Sequence, residues 1–195
     1  MARLGERTKI FDADFQPGED VAAQLAALDV AAGAIGYLVN SHLHFDHTGG
    51  NAIIPNAQLI VQRSEWEAGQ DADMIHQNYY DPKDYNTGHE VRMVSGEHDL
   101  FGDGRVVCFP TYGHTPGHQS LRVRLDRVEI VLTGDACYLR RTLDELCLPS
   151  VVHNKQAMLD SLLRLRALRA AGARIFYGHD PEFWATMPQA PVAVS

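Results

Sequence analysis

The segment S-H-L-H-F-D-H at 41–47 crowds His42, His44, Asp46 and His47 into six positions, and all four side chains can ligate a metal ion. Alternate residues at the end of an extended segment point the same way, so His42 and His44 can share one ion. Asp46 and His47 lie past a turn and can reach a second. Gly49 and Gly50 follow at once, as a loop folding tightly around ions requires.

Two ions need more than four ligands, and three further segments offer them. His114 lies in Y-G-H-T-P-G-H, Asp135 in L-T-G-D-A and His179 in F-Y-G-H-D. Each follows an apolar run and is flanked by glycine, which places it at the carboxyl end of a strand on one rim of the sheets. A carboxylate can bridge two cations, and Asp135 is the best placed to do so. Mixed imidazole and carboxylate ligation suits two zinc ions first, with iron, cobalt or manganese as competitors. Cations about 3.5–4 Å apart lower the pKa of a water between them and supply hydroxide at neutral pH, the chemistry of attack on a carbonyl.

To bring these residues to one rim, strands and helices must alternate. Val21, Leu25 and Leu28 fall at helical spacing, with Gly33 where that helix would stop. Ala34 to Asn40 is a short apolar run that reads as a buried strand delivering the chain to the histidine segment. Leu59 to Gln62 is a second strand, and Ser64 with Glu67 forms a capping-box pattern opening a helix through Glu65 and Trp66. From Gly69 to Asp103 there is little periodicity, which predicts a long loop or lid with scattered short strands. Arg105–Phe109, Leu121–Leu125 and Val128–Thr133 read as consecutive strands of one sheet. Asn154 caps an amphipathic helix through Leu159, Leu162, Leu165 and Leu168, closed by Gly172, and Arg174–Tyr177 is a last strand. The pattern is α/β, with mixed sheets and helices outside.

The 195 residues suit one domain, 1–195, with one well-buried core. With 17 basic against 25 acidic residues the formal charge is −8, which gives no basic footprint for nucleic acid. No leader-like apolar segment opens the chain and no run of about 18 apolar residues could span a bilayer, so a cytoplasmic setting without membrane contact is expected. Cys108, Cys137 and Cys147 are read as packed thiols. A homodimer is compatible with the sequence.

The segments S-H-L-H-F-D-H-T-G-G-N, G-H-T-P-G-H-Q-S-L, L-T-G-D-A-C-Y and Y-G-H-D resemble the metallo-β-lactamase superfamily, and within it the N-acyl-homoserine lactonases, in order and spacing from residue 19 onward. The lactonase likeness rests on Phe45, on H-Q-S after Gly117, and on Tyr138 three residues past Asp135. It implies an αβ/βα sandwich in which His42, His44 and His114 bind one metal, Asp46, His47 and His179 bind the second, and Asp135 bridges them. The implied reaction opens the lactone ring of an N-acyl-homoserine lactone, which is quorum quenching, by attack of a metal-bridging hydroxide. Asp46 would be ligand and proton shuttle, and the Tyr138 phenol would stabilise charge on the carbonyl oxygen. The family usually carries several strands ahead of the first helix; residues 1–18 are too few and too polar for them, so an N-terminally truncated sandwich is expected.

Two other readings use the same residues. One is another ester or thioester hydrolase of this fold, of the glyoxalase II kind; the other is a metal-binding fragment without turnover. His118 is either support for the metal site or a satisfied polar group. Tyr79, Tyr80 and Tyr85 are candidates to line an acyl-chain groove, while His76, His89, His98 and His153 are read as surface or loop histidines.

Overall fold

The computed structural model of the chain describes residues 16–194. The expectation of a shortened front falls on residues 1–18, of which 1–15 lie outside the described residues. Strands and helices run in the order α1 (Val21–Ala26), β1 (Tyr37–Val39), α2 (Phe45–Thr48), β2 (Gln58–Gln62), α3 (Arg63–Ala68), α4 (Ala72–Gln77), α5 (Pro82–Tyr85), β3 (Val91–Val94), β4 (His98–Asp99), β5 (Val106–Pro110), β6 (Gln119–Arg124), β7 (Glu129–Leu132), α6 (Arg140–Glu145), α7 (Lys155–Ala170), β8 (Arg174–Phe176) and α8 (Pro181–Ala185).

Among the described residues the strands form two sheets. One is parallel, in the order β1-β2-β3, with Leu38 beside Leu59 and Ile60 beside Arg92. The other runs β4-β5-β6-β7-β8, antiparallel until β8 joins β7 in parallel. The three apolar runs expected to form one sheet are β5, β6 and β7 of this second sheet.

Apolar side chains account for the layering. Ile60, Val94, Leu100 and Cys108 pack between the sheets. Leu162 and Leu165 of α7 cover the outer face of the second sheet against Val131 and Ile175. Each such leucine contributes about 1.5–3 kcal/mol by leaving water. On the first sheet, Val61 is covered by Ala68 of α3, Tyr80 and Tyr85. The result is the expected αβ/βα sandwich.

Four details differ from the sequence reading. The first helix ends at Ala26 and not near Gly33: none of its residues is buried, and Asp29 turns the chain at φ +58°. With no core to grip its apolar stripe, periodicity alone does not extend it. Helix α3 begins at Arg63 directly from β2, and its N-cap, Gln62, makes no side-chain capping bond, so the Ser64–Glu67 capping box does not form. The segment 69–103 is largely built and not loop: Asp71 caps α4 by accepting from Met74 N–H, Asp81 caps α5 by accepting from Lys83 N–H, and β3 extends the parallel sheet. These helices are too short to show a period. Cys108 and Cys137 are packed as expected, but Cys147 is exposed.

No helix among the described residues is long and apolar enough to cross a membrane.

Candidate metal centre

The two sheets are joined at one rim by a buried glutamine. Gln119, at the start of β6, donates its side-chain N–H to the Asn40 carbonyl at 2.8 Å and its backbone N–H to the Ser41 carbonyl at 2.9 Å. This fixes the end of β1 against the second sheet, and the histidine segment begins there. The same rim receives the loop after β5 with His114, the turn after β7 with Asp135, and the end of β8 with His179.

All seven sequence-predicted ligands converge. The candidate ligand atoms of His42, His44, His114 and Asp135 lie within 4.8 Å of one another, and so do those of Asp46, His47, Asp135 and His179. Asp135 belongs to both groups, one oxygen to each. Its Oδ1 is 3.0 Å from His47 Nε2 and 3.1 Å from His179 Nε2. Its Oδ2 is 3.4 Å from His114 Nε2 and 3.8 Å from His42 Nε2. Asp46 Oδ2 stands 3.4 Å from His47 Nε2 and 3.7 Å from His179 Nε2.

Tautomers follow from the outer partners. A carbonyl only accepts, so the contact of His44 Nε2 with the Asn78 carbonyl at 2.8 Å requires a hydrogen on Nε2 and leaves the lone pair on Nδ1. That Nδ1 faces His42 Nε2 at 2.9 Å and His114 Nε2 at 3.1 Å. Three imidazole nitrogens thus aim at one point, where a cation could take a lone pair from each. His47 Nε2 gives the second sign: it is buried beside two carboxylates yet is aligned to hydrogen-bond neither. The donor set fits metal ions.

The electrostatics agree. Burial, reinforced by the neighbouring His47, holds His42 well below the usual imidazole range; burial lowers His44 and takes His114 down to about 4. Burial opposes charge on His47, yet Asp135 and Asp46 outweigh it and push its pKa up to about 10. Burial alone would raise Asp135, but His179 and His47 hold its carboxyl far below the carboxylate range. His42, His44 and His114 are thus the neutral rings that metal ligation uses, while His47 and His179, whose pKa values the carboxylates raise, would give up a proton to an incoming ion.

His118 supports the site from behind. It is fully buried, its Nε2 accepts the Asp135 backbone N–H at 3.0 Å, and its Nδ1 donates to Thr111 Oγ1 at 2.9 Å. Tyr138 places its hydroxyl 3.3 Å from His114 Nδ1, with its ring against His179. Of the loop tyrosines, only Tyr79 lines the cavity of about 200 Å³ beside His44 and His114; Tyr80 and Tyr85 are core, bonded to Glu65 and to the Gly69 carbonyl. His153 also lines that cavity, and His89 staples a loop by donating to the Ile54 carbonyl at 2.7 Å. Residue type alone did not reveal Asn78, which acts through its backbone, or Glu65, read only as part of a helix, whose carboxylate is fully buried.

A family described as the metallo-beta-lactamase superfamily matches residues 5–179. The N-acyl homoserine lactonase AttM of Azorhizobium caulinodans is 36% identical over 180 residues, covering 89% of this chain and 68% of that protein. This chain thus spans about two thirds of the length of that relative. A solved N-acyl homoserine lactone hydrolase with the product N-hexanoyl-L-homoserine bound at its catalytic metal centre superposes with a TM-score of 0.81 at 27% identity, covering 93% of this chain and 70% of the other. AidC, a dizinc quorum-quenching lactonase, shares the fold with a TM-score of 0.70 at 20% identity, covering 92% and 69%. Both solved structures are metal-containing lactone hydrolases, and the converging histidines here stand on the same sandwich: the chain belongs to the metallo-beta-lactamase superfamily and resembles its N-acyl homoserine lactonases.

Proposed function

We propose that this chain is a dinuclear-metal hydrolase that opens the lactone ring of N-acyl homoserine lactones. The carrying observation is Asp135, whose two oxygens each face a separate group of nitrogen ligands. His42, His44 and His114 would hold one ion, Asp46, His47 and His179 the other, with Asp135 between them. Zinc suits the donors best, with iron, cobalt or manganese as competitors. When bound, such a pair supplies a nucleophile at neutral pH and polarises the carbonyl under attack.

The chain's own residues supply the rest. Burial, and then the nearby Asp135, push the Tyr138 phenol well above its usual pKa, so it keeps its proton and can donate to an oxygen that gains negative charge. Against the cost of burial, His47 holds the Asp46 carboxyl below its ordinary value, so Asp46 is a carboxylate at neutral pH, and it is part-exposed toward the site. It can accept the proton of the attacking water and return it to the leaving ring oxygen. The cavity beside His44 and His114 has a mixed wall, Gln77, Asn78 and His153 with Tyr79, Val151 and Val152, and its apolar part suits an acyl chain.

Residues 1–195 are read as one hydrolase domain, because ligands from both sheets complete one centre. A cytoplasmic setting and a homodimer complete the proposal. The test is incubation of the metal-loaded chain with N-hexanoyl-L-homoserine lactone, followed by proton release and identification of the ring-opened acid. A chain that leaves the lactone intact while cleaving a glutathione thioester would place it with the thioester hydrolases.

A further inference from the structure

Glu65, in α3, is fully buried, belongs to neither candidate ligand group and does not line the open cavity. Its carboxylate accepts four hydrogen bonds. Oε1 takes the Leu43 backbone N–H at 3.0 Å and the Tyr80 hydroxyl at 2.6 Å. Oε2 takes the Thr115 hydroxyl at 2.8 Å and the Gly117 backbone N–H at 2.7 Å. Burial raises its pKa, and the four donors pull against that rise.

The identity of the donors gives the contact its meaning. Leu43 is the residue between His42 and His44, and Thr115 and Gly117 lie in the loop directly after His114. One carboxylate therefore ties together the two segments that carry the three imidazoles of one ligand group. The loop is pressed against the helix as well: a Cβ on Gly117 would stand 2.6 Å from Ser64 Oγ and collide with the Glu65 backbone nitrogen. Glycine at 117 is what lets the loop come close enough for its N–H to reach Glu65.

We propose that Glu65 is a positioning residue that locks the His42–His44 segment to the His114 loop, so that these three imidazoles converge before a metal ion arrives. The inference rests on the metal-centre reading above, and it concerns the ligand geometry alone, whatever carbonyl compound is hydrolysed. Each carboxylate oxygen faces a backbone N–H that cannot turn away. Glutamine, in either orientation of its amide, would set an NH₂ against one of them. Glu65→Gln is thus close to isosteric and still breaks the lock.

The test is titration of the metal-free 195-residue chain with cobalt(II) against a competing chelator, reading the visible absorption of bound cobalt and resolving the two binding steps. Glu65→Gln should weaken one step by about 10- to 100-fold, the range typical for groups that orient ligands, and leave the other within about threefold. Thr115→Val should weaken the same step by a smaller factor, and Thr115→Ser, which keeps the hydroxyl, should restore it. If Glu65→Gln does not fold, the Thr115 pair decides. Unchanged binding in Glu65→Gln and Thr115→Val, equal weakening of both steps, or equal weakening by Val and Ser would overturn the proposal. Wild-type chain that binds no cobalt overturns the metal-centre reading and this proposal with it. Wild-type chain that binds cobalt but opens no lactone overturns the substrate reading only, and the variants still decide the role of Glu65.

Discussion

His44 donates its Nε2 hydrogen to the main-chain carbonyl of Asn78 at 2.8 Å, which leaves the lone pair on Nδ1 facing His42 and His114. The bond fixes both tautomer and ring plane, so the segment that carries Asn78 takes part in building the centre.

Asp135→Asn keeps the volume but replaces one oxygen with an NH₂ that cannot ligate. Because one oxygen faces each ligand group, either amide orientation loses a partner on one side. The expected outcome is at least one ion lost per chain and a fall in lactone turnover of about 100-fold or more. Elemental analysis alongside kinetics checks it; full metal content with full turnover would refute the bridging role.

Tyr138→Phe removes the phenol hydroxyl that stands 3.3 Å from His114 Nδ1 without touching a candidate ligand atom. Turnover should fall by about 100-fold, the size of effect seen when one donor to a developing oxyanion is removed, with metal content unchanged. Unaltered kinetics would leave Tyr138 as a packing residue.

The metal-free chain should be most stable near pH 6.5 and lose stability on either side. His42, His44, His114 and His118 have lowered pKa values, that of His114 near 4, so below 6.5 the unfolded chain takes up protons that the folded chain refuses. Stability from these groups is present above 6.5 and is lost as pH falls toward 4. His47, near 10, and His179 have raised values: below 6.5 they are protonated in both states, and above it the folded chain alone stays protonated. Their contribution is lost as pH rises from 6.5 toward 10. Urea unfolding of chelator-treated protein across pH 4.5–9 tests this, and a flat profile contradicts it.

Much of the candidate centre was legible because its candidate ligands are side chains of distinctive type at strand ends. His42, His44, Asp46, His47, His114, Asp135 and His179 could be named from residue type and flanking glycine, and the structure brings them together. The supports were not legible, for separate physical reasons. Asn78 contributes a carbonyl, which every residue has. Glu65 looks like any surface helix glutamate until the fold buries it. The sheet strands were legible where apolar runs were unbroken, as in β5 to β7. The pieces between 69 and 103 were not, because α4 and α5 owe their ends to Asp caps and are too short for a period.

Gly113 sits at φ +124°, and a Cβ there would run into the backbone of Met158 at the start of α7. Gly113→Ala should therefore destabilise the chain by at least about 2 kcal/mol, through backbone strain and overpacking together. At about 2–4 °C per kcal/mol for a chain of this size, thermal unfolding should show a clear drop in Tm. An unchanged Tm would contradict the close approach of the His114 loop to α7.

The most direct test of the central claim measures metal content and hydrolysis of N-hexanoyl-L-homoserine lactone on the same purified chain, beside a His44→Ala control. Two ligand groups predict close to two ions per wild-type chain, ring opening by proton release, and loss of both turnover and at least one ion in the control. Lactone opening by chain stripped of metal, or turnover undiminished in His44→Ala, would contradict the account.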